Sequence, residues 1–340
     1  MAKILVTYSD SHPVDVELFT ELLSDHDIRS LKIPVPGTEA RYDEGIADAL
    51  EGCDALFLRP GVITREMMES LPDLKVIAIH GSGYDRVDIE AATDHGIIVS
   101  NNPTSSGPGV VEHTFGLMFS LIRRMPEIFD RTASGEWVEA RIHPLELNAM
   151  TIGVVGLGGI GFRVASIASE SFDATVLGYD PYVSGERDSP IYPKYSRSEV
   201  EAAGIELTGL HDLLERSDLV TLHTPRTAET EQMIGTEELD RLAGKYLINT
   251  SRGGVIDEAA LIDAVERDFF AGVALDVLAQ EPPESDNPLL RSDSVLTTPH
   301  IAGISDAYLD RAARLAATCI QTALDGKLPE TTVNPEVTER

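Results

Sequence analysis

The chain has 340 residues, enough for two domains, and 42% of them are hydrophobic, which supplies ordinary globular cores. It carries 57 acidic residues against 27 basic ones, a net charge of −30 spread along the whole sequence, so nucleic acid and anionic membranes are poor partners. Only Cys53 and Cys319 are present, far apart and without metal-ligand spacing, which argues against a disulfide scaffold or a metal site and fits a reducing, cytoplasmic setting. The start, "MAKILVTYSD", is too short in apolar residues for a secretory signal, and no later run is long enough to span a membrane.

Short apolar, β-branched runs alternate with helical patterns along the chain. In order they are "KILVTY", "DALFLR", "KVIAIHG", "GIIVSN", then "TIGVVGLG", "ATVLGYD", "DLVTLHTP", "YLINTS", "GVALDVL" and "SVLTTPH". Continuous apolar strands separated by helices predict an α/β protein with parallel sheets covered on both faces. Four runs lie before residue 102 and six after 150, so two sheets are expected. Between the groups, "GVVEHTFGLMFSLIRRM" reads as one long helix over 109–125 with an apolar stripe. After His300, "SDAYLDRAARLAATCIQTALDG" predicts a final amphipathic helix, capped by Ser305 or Asp306 and stopped near Gly326.

The fifth run leads into Gly156-x-Gly158-x-x-Gly161 and then a helix. One glycine permits the tight turn, the next lets backbone approach a pyrophosphate, and the third allows close helix packing. The N–H groups of Gly158, Gly159, Ile160 and Gly161 then face the phosphates with the helix dipole behind them. Asp180 ends the next strand, nineteen residues past Gly161. It can accept from an adenosine ribose diol and would repel a 2′-phosphate, so NAD is the expected cofactor. NADP stays open, because Arg187 lies only seven residues further on. A structural glycine turn is the plainer alternative, but it does not explain the strand, helix and acid around the loop.

In open α/β sheets, ligands bind beyond the carboxyl ends of the strands. The polar groups there are His223-Thr224-Pro225, Thr250-Ser251-Arg252, Asp276 and His300. Arg252 raises a question, since arginine is seldom buried without a partner. At the mouth of a crevice it can offer a planar fork to a substrate carboxylate. The alternative is a pairing with a local acid such as Asp257 or Glu258. A lone histidine is more often structural than catalytic, but Glu281, five residues past Asp276, can brace His300 as a proton donor.

The combined set "GLGGIG…D", "HTPRTAET", "INTSRGG", "ALDVLAQEP" and "TPHIAG", with "HGSGYDRVDIEAATDHGIIVSNNP" upstream, resembles the D-isomer-specific 2-hydroxyacid dehydrogenase family over nearly the whole chain. The resemblance implies two doubly wound parallel-sheet domains. Residues 1–101 and 300–333 would form a flavodoxin-like substrate domain, and 102–299 a Rossmann-type dinucleotide-binding domain, with the crossings near Asn101-Asn102-Pro103 and Thr298-Pro299. It implies Arg252, Glu281 and His300 as the catalytic three. Backbone N–H groups of Ser82 and Gly83 would hold the substrate carboxylate, Asp276 would meet the nicotinamide carboxamide, and His223, Thr224 and Pro225 would line the adenosine side. Thr230, Thr250, Ser251 and Gly303 complete the expected cofactor contacts, and Tyr8, Leu58, Arg59 and the region of Ile304 the expected pocket walls. The activity implied is reduction of a small 2-oxo acid to a D-2-hydroxy acid, and the reverse, with domain closure excluding water and a homodimer as the usual assembly. Two departures stand out: Leu278-Ala279, where relatives commonly carry an aromatic and an acid, and "SSGPGVVEH" at 105–113, with extra glycine and proline.

Among sister activities, formate dehydrogenases resemble one another in a glutamine where Glu281 stands, which disfavours that reading. A phosphite oxidiser keeps an Arg, a Glu and a His. A corepressor that senses NAD fits poorly with an intact catalytic three. A phosphoglycerate dehydrogenase with a regulatory domain fits poorly with the about fifteen residues that follow Gly326.

The charge carries its own expectation. With −30 net charge and six lysines (Lys3, Lys32, Lys75, Lys194, Lys245, Lys327), the surface reads as adapted to a high-salt cytoplasm, as in a halophile. The screening length is ~10 Å at ~0.1 M salt and ~3 Å at molar salt, so carboxylate repulsion fades over that range. Both the unfolding midpoint and kcat/KM are expected to rise from low to multimolar KCl. If both are flat, or best in dilute buffer, the halophilic reading is wrong.

Overall fold

The computed structural model describes residues 1–10, 12–33, 45–137, 143–187 and 194–339. The chain divides into two compact units, Met1–Ser106 with Ile304–Arg340, and Gly107–Gly303.

The first unit is built on five parallel strands: β1 (Lys3–Tyr8), β2 (Asp27–Lys32), β3 (Ala55–Leu58), β4 (Val76–Ile79) and β5 (Ile98–Ser100), in the order β2-β1-β3-β4-β5. Side chains alternate across the sheet, so each strand feeds two cores. Leu5, Leu56, Leu58, Ile77 and Val99 pack on one face. Ile4, Val6, Phe57, Val76 and Ala78 pack on the other, against Ala316, Ala317, Ile320 and Ala323. Those last four lie on the Asp306–Leu324 helix. Ser305 caps it by accepting from Tyr308 N, and the chain turns left-handed at Gly326 (φ 75°).

The second unit has seven parallel strands: β6 (Thr151–Val155), β7 (Thr175–Tyr179), β8 (Ile205–Leu207), β9 (Leu219–Leu222), β10 (Tyr246–Asn249), β11 (Gly272–Leu275) and β12 (Val295–Thr297). Their order is β12-β11-β10-β9-β6-β7-β8. The sequence of connections reverses between β6 and β9, which is where doubly wound sheets open a crevice for ligands. Ile152 and Val154 pack against Val164, Ala165 and Ala168 on one face. Val155, Val220, Leu222 and Leu247 pack against Leu213 and Leu261 on the other.

Two strands, β2 and β8, are absent from the ten apolar runs in the sequence. Both are edge strands. "DIRSLK" is half-exposed along its length and "IEL" has only three residues. An edge strand needs neither two apolar faces nor length, so periodicity misses it.

The long helix expected over 109–125 is present as Gly107–Ile122 but ends three residues early, and a second helix, Met125–Ala133, follows. Pro126 has no N–H to give the Ile122 carbonyl four residues back, and its ring would strike that carbonyl. The chain breaks at Arg124 (φ 52°), and Leu145 N donates to the freed Ile122 oxygen at 2.9 Å.

The first unit buries an unusual polar cluster beyond β3 and β4. His80 is 2% exposed, stacks on Phe57 (centroids 5.4 Å), and meets Tyr308 edge-on (4.8 Å), with its Nδ1 2.7 Å from the Tyr308 hydroxyl. Arg59, one of the expected pocket walls, hydrogen-bonds the same imidazole and donates to Tyr308 Oη at 3.2 Å. Burial, and then the Arg59 charge, hold the His80 imidazole well below its ordinary range. The native state therefore stays unprotonated while an unfolded histidine takes up a proton below pH ~6.5. Stability from this group is present above that pH and falls as pH drops, by about 1.4 kcal/mol per pH unit. Thermal midpoints of the wild type and His80→Phe, compared from pH ~7 to ~5, should converge as the pH falls. Parallel curves would mean that His80 titrates alike in both states.

Candidate active site

The glycine loop follows β6. Gly156 adopts φ +91°, where an L side chain is strained, and a Cβ there would stand 2.8 Å from the His223 carbonyl oxygen. A Cβ on Gly161 would stand 1.9 Å from the Gly156 oxygen, so the helix can begin there only without one. At Gly158 no atom of the described residues lies within 4 Å of an added Cβ, so among them one side of the loop is open. The Gly161–Phe172 helix has Ile160 at its N-cap and no side-chain cap. A helix N-terminus without a side-chain cap is a ready cradle for phosphate.

Asp180 follows directly on β7. Its Oδ2 accepts from Leu157 N at 2.9 Å, and its Oδ1 accepts from Tyr182 N (2.9 Å) and Val183 N (3.3 Å). The carboxylate is thereby tied to the glycine loop in a fixed orientation. Arg187, the candidate for a 2′-phosphate, is ion-paired to Glu229.

Beyond β9, Thr221 Oγ1 lies 3.0 Å from His223 Nε2. Thr224 abuts the glycine loop, its Cγ2 2.9 Å from a Cβ built on Gly156, and its buried hydroxyl finds no hydrogen-bond partner among the described residues. A buried hydroxyl without a partner is costly unless a ligand completes it. Thr230 Oγ1 donates to the Pro225 oxygen at 2.6 Å and closes the 225–230 turn.

Arg252 is placed by its neighbours after β10. Asn249, 1% exposed, accepts from Ser251 N (3.0 Å) and Ser251 Oγ (2.8 Å), and its amide donates to the Arg252 oxygen at 2.9 Å. Thr250 Oγ1 lies 3.1 Å from Thr114 Oγ1. Arg252 Nη1 donates to the Ser251 oxygen at 2.8 Å. The local acids also hold other donors. Asp257 caps the next helix by accepting from Ala259 N and Ala260 N, and Glu258 accepts from Ala279 N at 2.6 Å and from Asn287 Nδ2 at 3.1 Å.

His300 and Glu281 meet. His300 Nδ1 is 2.7 Å from Glu281 Oε2, and Glu281 Oε1 accepts from Leu278 N at 3.2 Å. The Glu281–Pro282 peptide is cis. A carboxylate only accepts, so Nδ1 carries the hydrogen of this bond and Nε2 is left to face outward. The His300 side chain is 44% exposed, open to a reactant.

The backbone of His300 is left-handed, φ 53°, which few non-glycine residues adopt. Asp276, 2% exposed, holds it there. Its carbonyl accepts from His300 N at 2.8 Å. Its carboxylate accepts from Thr298 Oγ1 (2.6 Å), Ile301 N (3.0 Å) and Ala302 N (2.9 Å). The Thr298 hydroxyl gives its one proton to Asp276, so His113 Nε2, 3.0 Å away, must donate to Thr298. In the departure segment 105–113, Gly109 fits against this loop, where a Cβ would stand 3.1 Å from the Ala302 oxygen. Gly303 ends the unit. Asn249, Thr298 and His113 are missed by reading motifs, though a polar Asn249 closing an apolar strand was a visible signal.

In the first unit, Ser82 and Gly83 lie in the turn after β4, held by Asn101 Nδ2 donating to the Ser82 oxygen at 2.7 Å. Among the described residues no acceptor takes the N–H of Ser82 or Gly83.

A seven-stranded doubly wound sheet with a glycine cradle, a strand-end acid and a braced histidine defines a dinucleotide-dependent oxidoreductase domain. Residues 115–302 match the model of the D-isomer specific 2-hydroxyacid dehydrogenase NAD-binding domain, and the chain belongs to that family. It is 36% identical over 337 residues to a D-3-phosphoglycerate dehydrogenase of Methanocaldococcus jannaschii, covering 98% of this chain and 60% of that protein. It is 39% identical over 283 residues to a glyoxylate reductase of Thermofilum pendens, covering 81% of this chain and 79% of that one. The crystal structure of a D-lactate dehydrogenase from Aquifex aeolicus, complexed with NAD and lactic acid, matches with a TM-score of 0.82 at 30% identity, covering 97% and 99% of the two chains. An acyclic imino acid reductase in complex with NADPH and D-Arg matches with the same TM-score at 26% identity. The chain spans 60%, 43% and 50% of three D-3-phosphoglycerate dehydrogenases it matches. The cofactor is a nicotinamide dinucleotide, NAD or NADP, and the glycine cradle and the unpartnered Thr224 hydroxyl fit it.

Proposed function

We propose that the chain reduces small 2-oxo acids to D-2-hydroxy acids, and runs the reverse, with His300 as acid and base. The observation that carries this is the 2.7 Å His300–Glu281 contact in the same unit as the glycine cradle. A bound reduced nicotinamide supplies a hydride for C2 of the oxo acid. His300 delivers from Nε2 the proton that the carbonyl oxygen takes up, and Glu281 stabilises the imidazolium before transfer and orients the ring throughout. Arg252 offers its guanidinium to the carboxylate and the carbonyl. The N–H groups of Ser82 and Gly83 are donors of the kind a carboxylate takes. Asp276 keeps the His300 backbone in place. A carboxylate has about four acceptor sites, so three bonds leave one for a carboxamide N–H.

NAD is the preferred cofactor in this reading, because Asp180 stands at the strand end and Arg187 is engaged by Glu229. The protein acts as a cytoplasmic homodimer in high salt. None of the described helices is long and apolar enough to cross a membrane. The relatives carry names with different substrates: phosphoglycerate, glyoxylate and lactate. The test is a panel: oxidation of NADH and of NADPH with pyruvate, 2-oxoisocaproate, phenylpyruvate, hydroxypyruvate, glyoxylate and phosphohydroxypyruvate. Turnover of at least one acid, faster with NADH, supports the reading. No turnover on any of them, with phosphite oxidised instead, replaces it.

A further inference from the structure

The glycine loop has a neighbour that no motif contains. Lys194 reaches back to it, and a Cβ built on Gly159 would stand 3.0 Å from Lys194 Nζ. An adjacent aromatic pair steadies that reach. Tyr195 stacks on Phe162 with centroids 4.0 Å apart and planes 25° apart, and Phe162 is the second residue of the Gly161–Phe172 helix. Lys194 Nζ lies 6.0 Å from the centroid of the Tyr195 ring.

The ammonium has no carboxylate partner among the described residues. Arg187, Arg197, Arg216, Arg226 and Arg241 of the same unit each sit on an acid. In a chain of −30 net charge with six lysines, an ammonium held over a glycine and left without an acid is aimed at an anion from outside. The same loop presents the uncapped N–H groups of a 12-residue helix and an open face at Gly158. Both features favour negative charge at one place.

We propose that Lys194 binds the diphosphate of the dinucleotide cofactor at the glycine loop. It supplies a point charge to the phosphate oxygens, so that a strongly acidic protein can hold a doubly anionic group.

Binding to the purified chain by titration calorimetry, without turnover, tests this. A charge-assisted hydrogen bond is worth ~1.5–3 kcal/mol, which is about 10- to 150-fold in affinity. Lys194→Gln should weaken ADP and NADH by at least about tenfold and leave adenosine, which lacks phosphate, within about twofold. Lys194→Arg should recover most of the loss, since it restores the charge. Unchanged ADP affinity in Lys194→Gln would overturn the proposal. Equal weakening of ADP and adenosine would also overturn it, because the lysine would then be shaping the pocket through Tyr195 and not binding phosphate.

Discussion

Replacing His300 by glutamine is expected to lower kcat by about 10²- to 10⁴-fold, the usual worth of a positioned general acid. Glutamine can still hydrogen-bond to Glu281, so the loop and its left-handed residue are preserved as far as a single change allows. What disappears is the transferable proton at the outward ring nitrogen. The barrier to reduction then includes protonation of the alkoxide by water. Because His300 lies outside the glycine cradle, the affinity for NADH should stay within a few-fold, measured by its fluorescence on binding. Near-normal turnover in this variant would remove His300 from the chemistry and leave the His300–Glu281 contact a structural pair.

Arg252→Lys is expected to be nearly as severe. A lysine keeps the charge but replaces a planar fork with a single point donor. Each charge-assisted hydrogen bond lost is worth ~1.5–3 kcal/mol, so kcat/KM should fall about 10- to 150-fold for every 2-oxo acid turned over. The loss should appear in KM as well as kcat, since the same group binds the carboxylate and polarises the carbonyl. The Asn249 side chain braces the backbone through Ser251 N and the Arg252 oxygen, bonds that the side-chain change does not remove and that should hold the loop in the variant. Unchanged kcat and KM would return Arg252 to the role of a structural arginine.

The strands and the glycine loop were legible because both are written in local chemistry. Ten apolar runs mark the strands buried on both faces, and the loop needs glycine where a Cβ would strike the Gly156 or His223 backbone. The edge strands were not legible, since "DIRSLK" and "IEL" gain their order from one neighbour each. The break at 123–124 could have been read from Pro126 alone, and the apolar stripe hid it. Arg252, Glu281 and His300 were visible as polar residues beyond strand ends. The contact between Glu281 and His300 was not, because it joins residues nineteen apart on different loops. The Asp276 clamp was hidden for the same reason. It depends on a carboxylate in one loop meeting three donors in another, over 22 to 26 residues of sequence. Lys194 carries no sequence signal at all, since its role depends on where its loop folds back.

The most direct measurement follows the hydride itself. With NADH deuterated at the transferable position of the nicotinamide and a 2-oxo acid that turns over, the product is analysed by mass spectrometry and chiral chromatography. One deuterium on C2 of the product and a single enantiomer, the D-2-hydroxy acid, are expected, at a rate that His300→Gln cuts at least about a hundredfold. An L-product, deuterium absent from C2, or an undiminished rate in that variant would contradict the proposed function.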